Sequence, residues 1–204
     1  KLTVQITDSA NNIVSVVTQD AELPAGSHSF SFVPSLNMPS GRYYWHAWAN
    51  DFAGTISESS ANAEFVVDRE PPQIISFWPL NVTQGAYVAS RRIDLGLAVT
   101  DDLLSVTEMQ FSGDGVSWSV PEAFSAGKYG YRSVTADGVM TVYAKVKDAA
   151  GNWSEPVSTT FIVDATPPEH QTIRVNGQDG GGASTINVDL QFIAFDLHGV
   201  KTVK

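Results

Sequence analysis

Two short segments recur in this sequence, and their spacing limits the fold more than any other feature. The fuller copy runs Val142, Ala144, Val146, then Asp148-Ala149-Ala150-Gly151-Asn152, then Thr160 to Val163, and closes on Asp164-Ala165-Thr166-Pro167-Pro168. An alternating strand, a Gly/Asn turn, a second apolar strand and a double proline predict the last hairpin of an antiparallel β-sandwich and the linker leaving it. Asp51-Phe52-Ala53-Gly54 and Val67-Asp68-Arg69-Glu70-Pro71-Pro72 repeat both parts earlier in the chain. The separation is about 100 residues, the length of one sandwich domain, so the chain is expected to be tandem.

Composition narrows the class further. A chain of 204 residues that is 43% hydrophobic can bury ordinary cores. No window sustains apolar residues at i, i+3, i+4 and i+7, while Val, Thr, Ser, Tyr, Gly and Pro are plentiful; the prediction is all-β. No apolar run approaches the roughly 20 residues of a helical membrane span, and any export signal is expected outside this segment. A net charge of −10 opposes binding to nucleic acid or anionic lipid. The absence of cysteine excludes disulfides, cysteine-ligated zinc and thiol nucleophiles.

In chain order, residues 1–69 offer Leu2-Val4-Ile6, a polar turn at Asp8 to Asn12, Ile13 to Val17, a Pro24-Ala25-Gly26 turn, Phe30-Phe32, the aromatic strand Tyr43 to Trp48, and Phe65 to Val67. These read as a partial sandwich from the third strand onward. Residues 70–165 read as a complete sandwich: Ile74 to Phe77, then Ile93, Leu95, Leu97 and Val99, then Val106, Met109 and Phe111, the turn Ser112-Gly113-Asp114-Gly115, Val134, and the repeated hairpin. Residues 166–204 restart the pattern with Ile173-Val175, a Gly180-Gly181-Gly182 loop, and Val188, Leu190, Phe192 and Ala194. They read as two strands and the start of a third, with Asp196-Leu197-His198-Gly199-Val200 matching Asp102-Leu103-Leu104-Ser105-Val106.

Met109-Gln110-Phe111-Ser112-Gly113-Asp114-Gly115-Val116-Ser117-Trp118, Asp137-Gly138, and the run from Thr141 through Asp148 to Pro168 resemble the Ig-like, fibronectin-type repeats of large prokaryotic surface and secreted proteins. Leu23 to Phe30 is similar instead to an Ig-like module of flagellar hook-capping proteins and secreted-protein tails. The resemblance implies non-catalytic spacer or binding modules at the cell surface or outside the cell.

An Ig-type sandwich gathers the start of its first strand, its second-to-third strand loop and its last hairpin turn at one pole. Asp101, Asp102, Asp148 and Asn152 are therefore expected near the linker residues Asp68 and Glu70, and Asp164, Glu169 and Asp196 form a matching set. Carboxylates about 4 Å apart repel by roughly 4 kcal/mol at an effective dielectric near 20. A hard cation with oxygen ligands, calcium above all, suits such a group, whereas Asp and Asn also favour turns for local reasons.

Of the remaining candidates, strand alternation puts Tyr44, His46 and Trp48 on one face and Tyr43, Trp45 and Ala47 on the other, so one set is read as core packing ahead of a sugar platform. Trp118 and Trp153 are read as covers for an end of the sandwich. His28, His46, His170 and His198 are scattered, without metal spacing or a Ser-His-Asp order, and the three-glycine loop has no phosphate-loop context. Asn81-Val82-Thr83 and Asn152-Trp153-Ser154 are glycosylation sequons.

The expectation is a non-enzymatic extracellular filament, stalk or adhesin shaft, whose partners are head-to-tail copies of itself and a surface glycan or receptor. The alternative is an accessory or carbohydrate-binding segment of a secreted hydrolase. The two partial ends suggest that the tail of one unit completes the head of the next, in tandem or by strand addition between chains. Joining Val203-Lys204 to Lys1-Leu2 directly would require a bulge.

Overall fold

The computed structural model describes residues 1–19, 26, 37–84, 86–175 and 189–200. The strands are β1 Leu2–Asp8, β2 Ile13–Gln19, β3 Gly41–Ala49, β4 Ala63–Val67, β5 Gln73–Pro79, β6 Val82–Gln84, β7 Tyr87–Val88, β8 Arg92–Thr100, β9 Val106–Ser112, β10 Glu122–Ala123, β11 Gly127–Ser133, β12 Gly138–Asp148, β13 Val157–Val163, β14 Glu169–Val175 and β15 Leu190–Phe195. Among the described residues no helix is long and apolar enough to cross a membrane. Most of the Pro24-Ala25-Gly26 turn, Phe30-Phe32, the Gly180 to Gly182 loop, Val188 and Val203-Lys204 lie outside the described residues.

The middle of the chain forms two facing sheets. One has the order β11-β8-β5 and the other β10-β9-β12-β13, with β7 running parallel to β13. In immunoglobulin lettering this is A-B-E against C′-C-F-G, with a short A′ strand beside G. The fold is an Ig-like antiparallel sandwich. Strand alternation explains why these residues build it: Val142, Ala144, Val146 and Asp148 of β12 all turn inward, as do Ile93, Leu95 and Leu97 of β8. With Val88, Met109, Phe111, Phe161 and Val163 they make one core. Each fully buried aliphatic or aromatic side chain contributes roughly 1.5–3 kcal/mol.

Gly96 shows how tightly the outer face of β8 is covered. It pairs with Trp78 of β5, and a Cβ at this position would lie 2.6 Å from the Trp78 ring and 2.9 Å from the end of Leu80. Gly96→Ala should push the indole off the sheet at a cost of about 1–3 kcal/mol. Urea unfolding followed by tryptophan fluorescence measures that loss.

The N-terminal strands form a separate sheet in the order β2-β1-β3-β4, the same sequence of roles as β10-β9-β12-β13. Val4, Ile6, Met38, Tyr43 and Val67 form its apolar cluster. Tyr43, Trp45 and Ala47 share the inner face, as the alternation requires, but Trp45 remains 38% exposed because no second sheet lies opposite it among the described residues. The Tyr43 hydroxyl donates to the Pro39 carbonyl at 2.8 Å. Such a tyrosine corner is typical of this strand in Ig-like domains. At the other end, β14 and β15 pair with one another as β5 pairs with β8.

Candidate functional site

The two double-proline linkers are where polar and charged groups collect. At the first, the repeated turn explains the local geometry. Asp148 is buried, and its Oδ1 accepts from the Gly151 and Asn152 backbone N–H groups at 2.7 and 2.9 Å while its Oδ2 accepts from Asn152 Nδ2 at 2.8 Å. Gly151 holds the left-handed φ of 100° that closes this loop. Asp8 and Asn12 build the same turn, with Asn11 at φ 66° in the glycine position. Asn152 Nδ2 also donates to the carbonyls of Asp68 at 3.1 Å and Glu70 at 3.5 Å, so the hairpin turn clips the linker. From the other side, the Arg69 backbone N–H reaches Ser40 Oγ at 3.0 Å and Arg69 Nε reaches the Met38 carbonyl at 3.0 Å.

Beside this clip, carboxylate oxygens of Asp68, Asp101 and Asp102 lie within 4.8 Å of one another. Asp101 closes its own loop, Oδ1 accepting from the N–H groups of Leu103 and Leu104 at 3.1 and 2.8 Å. Asp68 Oδ1 accepts from the Glu70 N–H at 3.1 Å. The second oxygen of each, Asp68 Oδ2 and Asp101 Oδ2, is covered from solvent and has no hydrogen-bond partner. Asp68 is only 9% exposed. Burial pushes its carboxyl above the usual range; the Glu70 N–H opposes this, and the charges of Asp101, Asp148 and Asp102 reinforce it. A divalent cation would relieve both the repulsion and the missing partners. The carboxylates of Glu70 and Asp148 stand outside this group, since Asp148 spends both oxygens on its own turn.

The second linker is held by different side chains. Thr166 donates its backbone N–H to Asp137 at 2.9 Å, and Arg91 Nη2 lies 3.2 Å from Asp137 and 2.8 Å from Thr166 Oγ1. Hydrogen bonding from the Thr166 side chain leads the causes that hold the Asp137 carboxyl below its ordinary value. Asp164, Asp196 and His198 bring their ligand atoms within 4.8 Å of one another, and Glu169 is not part of that group. The sequence correspondence pairs Asp196 with Asp102, but the structure shifts it by one residue. Asp196 directly follows β15 and accepts from the His198 N–H at 2.8 Å, as Asp101 directly follows β8 and accepts from Leu103. Leu197 thus stands at the Asp102 position and His198 at that of Leu103. His198 was unremarkable in the sequence, because its partner Asp164 is distant along the chain.

Trp118, Trp153, His46 and Trp48 are engaged in packing, whereas His28 and the side chain of His170 lie outside the described residues. Lys145 Nζ sits 4.5 and 4.9 Å from the ring centroids of Trp118 and Trp153, and Lys147 Nζ sits 5.4 Å from Trp153. These indoles are braced by cations on the sandwich surface. His46 stacks on Trp48 on the outer face of β3. Both sequon amides are engaged, Asn81 Nδ2 with the Arg92 carbonyl at 2.7 Å and Asn152 Nδ2 at the clip.

No family model matches this chain, and no curated relative is found. Solved structures to which this chain is similar include the PKD1 domain of Vibrio anguillarum Epp, at 18% identity and a TM-score of 0.33, covering 47% of this chain and 96% of that one. The fibronectin(III)-like modules of Clostridium thermocellum CbhA share 15% identity at a TM-score of 0.39, over 82% and 81% of the two chains. A tetra-tandem repeat from the extending region of a large adhesion protein shares 21% identity at a TM-score of 0.40. That match covers 96% of this chain and 55% of the other. The Ig-like assignment rests on strand order.

Proposed function

We propose that this chain is a segment of a non-catalytic extracellular rod, built from one complete Ig-like sandwich at residues 70–165 between partial ones at 1–69 and 166–204, and serving as a stalk or adhesin shaft. The observation that carries this reading is the first linker, which is gripped from both sides. Asn152 holds its carbonyls from the middle sandwich and Arg69 holds Met38 and Ser40 of the preceding sheet. A linker fixed at both ends, with Pro71-Pro72 beyond it, transmits direction from one sandwich to the next. Calcium bound by Asp68, Asp101 and Asp102 stiffens that junction, its role being mechanical. The partners in this reading are further sandwiches of the same kind, in tandem or from separate chains, covering the partly exposed Trp45 and the exposed Ile173 and Leu190 of the β14-β15 pair.

Small-angle X-ray scattering on the intact chain tests the reading. A compact protein of this length has a radius of gyration near 17 Å. A rod should give a clearly larger value, and a value at the compact limit rejects the shaft.

A further inference from the structure

We infer that the second junction is a binding site for a borderline transition-metal ion of the zinc class, formed by Asp164, Asp196 and His198, and so differs in metal preference from the all-oxygen first junction. Asp164 occupies the place of Asp68 before the double proline, and Asp196 that of Asp101 after the second strand of its sheet. The exposed carboxylate of Asp102 has been replaced by Leu197, which is 81% exposed and offers no ligand. An imidazole enters from the neighbouring position instead. His198 Nδ1 lies 3.4 Å from Asp164 Oδ1, is covered from solvent, and makes no hydrogen bond. Its ring meets Tyr87 edge-on at 5.9 Å, and Tyr87 is fixed next to β13 by its pairing with Ile162. Asp196 gives Oδ1 to the His198 N–H.

Two carboxylates and one imidazole form a poor set for calcium, which takes six to eight oxygens, and a good one for zinc, cobalt or nickel. Zinc lies about 2.0–2.2 Å from nitrogen and oxygen ligands, so atoms bound to one ion sit about 3.3 Å apart in a tetrahedron. The three ligand atoms all lie within 4.8 Å of one another, so binding one ion requires them to close inward toward that spacing. A water completes four-coordination. His198 lies beyond β15, whereas Asp164 leaves β13, so the ion would tie the turn after β15 to the middle sandwich.

The test is competition for zinc between the intact 204-residue chain and a chromogenic chelator, with calcium present in excess. Zinc should bind with one-to-one stoichiometry, and His198→Ala and His198→Gln should each weaken it at least tenfold, while Asp101→Asn at the first junction leaves it unchanged. The glutamine variant keeps a polar side chain of similar size, and circular dichroism checks that both variants retain their sheets. Zinc binding undiminished in a folded His198 variant, no uptake by the parent chain, or equal loss on Asp101→Asn would overturn the assignment. None of these outcomes bears on the rod, which scattering tests separately.

Discussion

Calcium at a hundredfold excess over its dissociation constant should raise the unfolding temperature of this chain by about 5–10 °C, and Asp68→Asn should abolish the rise. Ligand at that excess stabilises the folded state by roughly 2.7 kcal/mol, and a protein of this size shifts by about 2–4 °C per kcal/mol. The same substitution should have the opposite effect without metal. The folded Asp68 carboxyl titrates above its unfolded value near 3.8. Its contribution to stability is therefore fully present below that value and is lost as the pH rises through the folded pKa. Above the folded pKa and without calcium, Asp68 is a buried anion with one unpaired oxygen, and asparagine in its place should then stabilise the protein by about 1–3 kcal/mol. Differential scanning calorimetry with and without chelator, at pH 4 and pH 7, reads both effects. A metal-free Asp68→Asn protein less stable than its parent at pH 7 would show that the carboxylate makes a favourable contact of its own. A calcium response that survives the substitution would place the ion elsewhere.

Asp148→Ala should be the most damaging change at either junction, costing about 3 kcal/mol, for a reason unconnected with metal. Its carboxylate accepts three hydrogen bonds that close the turn, and the third orients the Asn152 amide that clips Asp68 and Glu70. Hydrogen bonds to a charged group are worth about 1.5–3 kcal/mol each, but the exposed Gly151 N–H regains water when its partner is removed. Asp148→Asn should be milder, because its carbonyl oxygen can still serve the two backbone donors. Chemical denaturation of the two variants and the parent should rank them in that order. If alanine and asparagine cost the same, the negative charge and not the turn geometry is what the fold requires. Calcium binding should persist in Asp148→Asn, since Asp148 lies outside the Asp68, Asp101 and Asp102 group.

Local pattern carried much of this architecture. The alternation of Val142, Ala144 and Val146, the Asp-to-Asn turn and the double prolines were readable because a strand shows its two faces at every second residue and a turn confines its chemistry to a few neighbours. The same rule placed Tyr43 and Ala47 on one face of β3. Short elements were not legible in this way. β7 has two residues, too few for any period, yet its Val88 is wholly buried and its Tyr87 meets the His198 ring edge-on.

The acidic residues divide along the same line. Their abundance near turns is visible in the sequence, and the Ig-like pole brought most of them to the right end of the sandwich. Which oxygen is left over is a different matter, because it depends on hydrogen bonds that each carboxylate has already made. Asp148 and Asp68 look alike as letters, but the first is saturated by its own turn and the second keeps one covered oxygen without a partner. A one-residue shift in register likewise decided that Asp196 stands in the place of Asp101, which exchanges a carboxylate for Leu197 and brings in His198. The sequence by itself determined the strongly alternating strands, the turns and the linkers, because those follow from neighbours along the chain. Only the tertiary structure decided the ligand sets, because they are made of atoms from strands and linkers far apart in sequence, selected by which lone pairs the local fold leaves free.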